Sequence, residues 1–248
     1  MDLTRQTDII HRNKLCTPCT VVGAGAIGSF VALTLAKMGI PRIDIFDKDI
    51  VEEENLPNQW FKLDAIGKKK AYETERLIKQ FSDSTIFGHA RNLEPENFGK
   101  LKEFIHPIVV SCVDSMKVRK EILDFLKKKI EHKLFIDARM AGQVINVLTI
   151  NPKLNSDVWF YEQHWYSDSE AVQERCTEKA IIYTSTIAAG LICNQVKKFL
   201  NGEKLNREII FDAQTLEFII EEDISPETPA QTPEIPDYEV EENEVYQE

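Results

Sequence analysis

The sequence predicts an α/β fold, a Rossmann-like doubly wound and mostly parallel sheet continued by antiparallel strands, with helices on both faces. Three observations carry this. The run Cys19-Thr20-Val21-Val22 ends in Gly23-Ala24-Gly25-Ala26-Ile27-Gly28 and opens an amphipathic helix with Ile27, Val31, Leu35 and Met38 on one side. The segment Arg42 to Phe46 reads as a second strand ending at Asp47. Pro107 to Val113 is apolar, as a parallel strand covered on both faces should be, and ends at Asp114.

A strand, glycine turn and helix leave bare N–H groups facing a phosphate. Gly23 makes the turn, Gly25 lets backbone approach the ligand and Gly28 lets helix pack on strand. Asp47 falls where an acidic side chain takes the ribose hydroxyls. The loop alone leaves NAD, FAD, S-adenosylmethionine and ATP all open.

In chain order, residues 1–18 form an N-terminal helical extension whose work is either packing under the sheet or carrying Arg5 towards a phosphate. Cys16-Thr17-Pro18-Cys19 has the spacing of half a zinc site, but no second Cys pair accompanies it. After Asp47-Lys48-Asp49 comes Asn55-Leu56-Pro57-Asn58-Gln59, then Lys68-Lys69-Lys70 opening a helix to about Gln80. Three lysines at a helix start oppose the helix dipole, which marks them for a phosphate unless they are a solvated basic turn. Ser84 to Ala90 reads as a third strand and Leu101 to Ile105 as part of a short helix. Asp114 lies at a carboxyl strand end, placed to hold Mg²⁺ or a ribose, or else to cap the helix from Met116 to about Ile130. Leu134 to Ala138 continues through Arg139-Met140-Ala141-Gly142 into the alternating run Gln143 to Ile150, an antiparallel return. Residues 151–179 read as an irregular crossover with clustered aromatics, Trp159 to Tyr161 and His164 to Tyr166. A helix from about Ala180 to Leu200 and strands at Glu208 to Phe211 and Thr215 to Ile220 finish the 19–222 domain. Residues 223–248 read as a disordered, acidic, proline-containing tail, either a recruitment arm or a solvated extension.

Charge and cysteine usage narrow the class. Eleven acidic residues and no Lys or Arg lie from Glu221 to Glu248, so the tail carries the whole formal charge of -11. The remainder is balanced and offers no global case for nucleic acid. Five cysteines suit a reducing compartment better than a disulfide framework. No apolar stretch reaches membrane-spanning length and the first residues lack a signal-peptide pattern, so a cytoplasmic protein is expected.

Arg5-Gln6, the glycine loop, Asp47-Lys48-Asp49, Asn55 to Gln59, Gly67 with Lys70, Cys112-Val113-Asp114 and Cys176 before a helix together resemble the ThiF/MoeB/E1-like superfamily, which adenylates the C-terminal glycine of ubiquitin-like or sulfur-carrier proteins. The resemblance spans residues 1 to about 222 and implies a compact, zinc-free adenylyltransferase. It implies that the loop (Gly23, Gly25, Ala26, Ile27, Gly28) with Asp47, Asp49, Asn55, Asn58, Gln59 and Lys70 binds ATP, and that Asp114 holds Mg²⁺. Arg5 then reaches the neighbouring subunit's ATP, which implies a homodimer, and Cys176, flanked by Arg175 and Lys179, is placed to attack the adenylate. An E2-like or sulfurtransferase acceptor would follow. One departure stands out: the family usually has Arg where this chain has Asn58, leaving Lys62, Lys68 or Lys69 to compensate. Two rival readings are a catalytically degenerate scaffold that binds a modifier and an NAD-dependent oxidoreductase; the second leaves Arg5-Gln6, Asn55 to Gln59 and Lys70 unexplained.

Overall fold

A computed structural model describes residues 1–128, 131–166 and 181–224. Its centre is one eight-stranded sheet of β1 (Cys19–Val22), β2 (Arg42–Phe46), β3 (Thr85–His89), β4 (Ile108–Ser111), β5 (Leu134–Ala141), β6 (Val144–Ile150), β7 (Leu205–Asp212) and β8 (Glu217–Ile224), in the order β3-β2-β1-β4-β5-β6-β7-β8. β3, β2, β1, β4 and β5 run parallel to one another. From β5 onward each pairing is antiparallel. The switch is local: only Gly142 and Gln143 separate β5 from β6, too short a link for anything but a hairpin.

The helices are α1 (Gly28–Met38), α2 (Lys70–Ile78), α3 (Pro95–Leu101), α4 (Met116–Leu126), α5 (Asn155–Gln163) and α6 (Ile182–Asn201). Alternation along the strands divides them between two cores. Val21, Ile43, Ile45, Val110 and Ile136 meet Val31 and Leu35 of α1 and Ile192 and Val196 of α6. Val22, Phe46, Val109 and Phe135 meet Phe98 of α3, Ile122 and Leu126 of α4 and Tyr161 of α5. Each such aliphatic side chain stabilises the fold by about 1.5–3 kcal/mol relative to exposure. In cross-strand register, Phe46, Val22, Ser111 and Asp137 form one row at the carboxyl edge of the parallel strands.

Two stretches differ from the sequence expectation. Residues 1–18 contain two 3₁₀ turns, Thr4–Gln6 and Arg12–Lys14, in place of a longer helix. The run is too short to propagate on its own and is held by docking instead: Gln6 Nε2 donates to Met38 O at 2.6 Å, and Ile10 and Leu15 enter the α1/α6 core. Within the expected irregular region 151–179, residues 155–163 form α5. Its buried side includes Asp157, which accepts from Asn151 N at 2.9 Å and Arg207 Nη2 at 3.1 Å, so apolar periodicity could not reveal it. β8 also reaches Ile224, past the expected start of the tail at 223.

Candidate nucleotide site

The glycine loop is shaped by contacts that only glycine allows. Gly23 has φ +92°, and a Cβ there would lie 2.7 Å from Cys112 O; a Cβ on Gly28 would lie 1.8 Å from Gly23 O. A Cβ on Gly25 would meet nothing within 4 Å, so open space faces the loop there. Ala26 is half-buried beside it and Ile27 is buried in the core. No side chain caps α1, so its positive end remains turned to that space.

A continuous hydrogen-bond path joins this loop to the acidic and basic residues expected of the site. Ala24 N donates to Asp47 Oδ2 at 2.7 Å, and Asp49 N donates to Asp47 Oδ1 at 2.8 Å. A carboxylate has about four acceptor positions, so Asp47 keeps capacity for ribose hydroxyls. Exposed Asp49 in turn accepts, through its carbonyl, from Lys70 N at 3.0 Å. Pairing of residues 50–51 with 67–69 then fixes the start of α2 beside this strand exit. Lys70 is 8% exposed as a residue, its stem buried while its ammonium, not among the wholly buried unpartnered polar atoms, keeps access to solvent and makes no salt bridge to a carboxylate among the described residues. A buried stem with its charged head at the surface and free of carboxylates leaves that charge available to an anion.

Residues 55–60 close another side. Asn55 O accepts from Asn58 N (3.3 Å) and Gln59 N (3.0 Å), while Asn55 Oδ1 accepts from Glu52 N at 2.9 Å. Trp60 N donates to Ser29 Oγ at the start of α1 (3.1 Å), and Ser185 Oγ at the start of α6 donates to Asn58 O (3.3 Å). Asn58 Oδ1 and Gln59 Oε1 are buried acceptors with no hydrogen-bond partner among the described residues. The lysines considered as substitutes for an arginine at 58 already have protein partners: Lys62 donates to Gln80 Oε1 (2.9 Å), Lys69 to Lys48 O (2.6 Å), and Lys68 lies 4.0 Å from Glu73 Oε1.

Asp114 is exposed just past β4, on the stretch anchored to the glycine loop by Cys112 N donating to Val22 O at 2.7 Å. The helix cap belongs to Ser115, whose Oγ accepts from Val118 N at 3.4 Å, so Asp114 is spared that work. No cluster of three or more His, Cys, Asp or Glu that could hold a metal occurs among the described residues. A single exposed carboxylate suits Mg²⁺, which takes one or two carboxylates and fills its remaining positions with phosphate oxygens and water. Cys112 is not a nucleophile here, because burial pushes its thiol up to about 12. Burial also raises the Cys19 thiol, while its neighbour Cys16 is exposed.

One expected residue lies away from this assembly in its own chain. Arg5 is exposed near the C-terminal end of α1, and eleven helical residues put that end about 16 Å from the glycine loop. Cys176, with Arg175 and Lys179, lies outside the described residues. The sequence reading overlooked Arg119, Asp137 and Arg139, buried or largely buried beneath the Asp114 loop. The available signal was Arg119 standing at an apolar helical position, three residues after Met116 and three before Ile122. No helix among the described residues is long and apolar enough to cross a membrane.

Comparison with known proteins bears on the fold and the family. A ubiquitin-like modifier-activating enzyme 5 from Xenopus laevis is 32% identical over 135 residues, covering 49% of this chain and 34% of the relative. The Dictyostelium discoideum protein of the same name is 29% identical over 114 residues, 41% of this chain and 30% of the relative. The chain thus spans about a third of the length of these curated relatives. Among solved structures, PaaA superposes with a TM-score of 0.70 at 20% identity, over 89% of this chain and 68% of that one. Escherichia coli MccB with ATP gives 0.65 at 19% identity, over 85% and 64% respectively. At such identities the likeness is one of fold. The ThiF family profile matches residues 14–231, and with the glycine loop, Asp47 and Lys70 within that span, the chain belongs to the ThiF family.

Proposed function

We propose that this chain activates a C-terminal carboxylate, that of a ubiquitin-like protein, a sulfur-carrier protein or a related peptide, by adenylation with ATP. The observation that carries the reading is Lys70, a largely buried lysine whose ammonium makes no salt bridge to a carboxylate among the described residues, joined through the Asp49 backbone and Asp47 to the glycine loop. Solved structures of the similar fold include MccB with ATP and MccB with AMPCPP and MccA, and the enzyme 5 relatives carry modifier activation in their name.

In this reading the loop amides from Gly23 to Gly28 take phosphate oxygens and Asp47 takes the ribose. A carboxylate is a weak nucleophile, so the residues' main work is alignment and charge neutralisation. The substrate's carboxylate oxygen bonds the α-phosphorus while pyrophosphate departs with the electron pair of the broken bond. Lys70 and the amide-bearing Asn55, Asn58 and Gln59 line the phosphate end. Asp114 would hold Mg²⁺, which when bound would supply further neutralisation of the pyrophosphate charge. Arg5, turned away from its own loop, completes the site of a second copy in a homodimer. Cys176 then accepts the acyl group, with pyrophosphate and AMP as the other products, before an E2-like or sulfurtransferase acceptor.

The test is exchange of labelled pyrophosphate into ATP in the presence of Mg²⁺ and candidate proteins ending in Gly-Gly. Exchange is expected with the cognate protein alone, and Lys70→Met should reduce it by about 100-fold or more. A partner that binds tightly yet supports no exchange would establish the scaffold reading instead.

A further inference from the structure

Under the Asp114 loop lies a buried charge cluster that the nucleotide contacts do not use. Asp137, on β5, has no exposed surface, and the Arg119 side chain from the first turns of α4 is 6% exposed. Arg119 Nη1 donates to Asp137 Oδ1 and, at 3.0 Å, to Ala138 O; its Nη2 donates to Val113 O, the carbonyl immediately before Asp114. On the other side, Arg139 Nε donates to Asp137 Oδ2 at 2.9 Å and its Nη1 to His164 O at 2.7 Å, just past α5. Tyr161 OH also donates to Asp137 Oδ2, at 3.0 Å. One carboxylate therefore holds two guanidiniums, and each guanidinium holds a backbone carbonyl of a different loop.

A packed core does not require such an arrangement, because apolar residues would fill the same space at no desolvation cost. Its geometry has a specific product: the Val113 carbonyl is fixed by a rigid, planar fork, so the Asp114 carboxylate is presented from an immobilised backbone. We propose that Arg119 and Asp137 are positioning residues for the metal end of the site, setting where Asp114 meets Mg²⁺ without touching metal or nucleotide. This rests on the nucleotide reading above. Residues that orient a metal ligand commonly change metal affinity by about 10–100-fold when replaced. Lysine cannot substitute for Arg119, since a single ammonium does not span Val113 O and Asp137 in the same plane.

The experiment is titration calorimetry of ATP into the whole chain, with Mg²⁺ and separately with EDTA, for wild type, Asp114→Ala, Arg119→Lys and Asp137→Asn. Near-ultraviolet circular dichroism checks that each variant is folded. Wild type should bind ATP more tightly with Mg²⁺. Asp114→Ala should lose that advantage, and Arg119→Lys and Asp137→Asn should lose about tenfold of it while metal-free binding stays within about a factor of two. Asp137→Asn, which keeps size and one acceptor, decides the matter if Arg119→Lys does not fold. A wild-type Mg²⁺ advantage in the folded variants overturns the proposal, as does an equal loss of affinity with and without Mg²⁺, the mark of a merely structural role. Failure of wild type to bind ATP in either buffer overturns the nucleotide reading and this proposal with it.

Discussion

Asp44 on β2 and Asp137 on β5 share one face of the sheet, are both wholly buried, and are each held by arginine, yet they stand in different places. Asp44 accepts from Arg42 Nε (2.8 Å), His89 Nε2 (2.7 Å) and His106 Nε2 (2.6 Å), in register with Thr20 and Val109. Asp137 stands one row nearer the carboxyl edge, about 7 Å further along the strands, in register with Ser111 and Val22. The Asp44 cluster fastens β2 and β3 to the segment before β4, and its partners are side chains. The Asp137 cluster reaches past the sheet to two loop carbonyls. The same chemistry thus fastens strands in one row and orients a site loop in the next.

Asp44→Ala should break this comparison most visibly. It leaves Arg42, His89 and His106 without their common acceptor, and a stability loss of about 3–5 kcal/mol in urea unfolding is expected. The Mg²⁺ advantage in ATP binding should survive in the folded fraction, in contrast to Asp137→Asn.

A smaller effect follows from pH. Burial alone would raise the Asp44 carboxyl, but hydrogen bonds from His106, His89 and Arg42 outweigh it and hold the group well below the usual carboxylate range. A depressed folded-state pKa contributes stability that is present above the unfolded value of about 3.9 and is lost as pH falls below it. Unfolding free energy should therefore decline below about pH 4, and Asp44→Asn should flatten that decline. An acid limb of the same steepness in the variant would remove Asp44 as its source.

Lys70→Met sharpens the comparison from the site's side, because Lys70 is a largely buried lysine without a described counter-charge where the two aspartates are fully paired. Stability should hold, since methionine keeps the apolar stem and no salt bridge is lost, while ATP affinity should fall by about tenfold, or roughly 1.4 kcal/mol. Equal losses in both would mean that Lys70 serves the fold.

Much of the parallel half was legible in the sequence because its signals are local. Gly23 needs a left-handed backbone, Gly28 needs contact with the Gly23 carbonyl, and the strands before Asp47 and Asp114 are short apolar runs. Of the lysine trio that conflicts with the helix dipole, Lys70 is the buried residue, and Lys68 and Lys69 are exposed. What stayed hidden depends on partners remote in sequence. α5 was masked because Asp157 faces inward to meet Arg207, fifty residues away. Arg119 and Arg139 are eighteen and two residues from Asp137, and their shared carboxylate becomes visible only once β5 stands beside α4. Arg5, expected at a neighbouring subunit's ATP, stands in its own chain at the far end of α1.

The most direct measurement is thermal unfolding of the whole chain with Mg²⁺-ATP, NAD and NADP side by side, in wild type and Lys70→Met. A ligand at a hundred times its dissociation constant adds about 2.7 kcal/mol to the folded state. Stabilisation of wild type by Mg²⁺-ATP alone, diminished in Lys70→Met, is the expected result. Stabilisation by NAD or NADP with none from Mg²⁺-ATP would contradict the adenylation account.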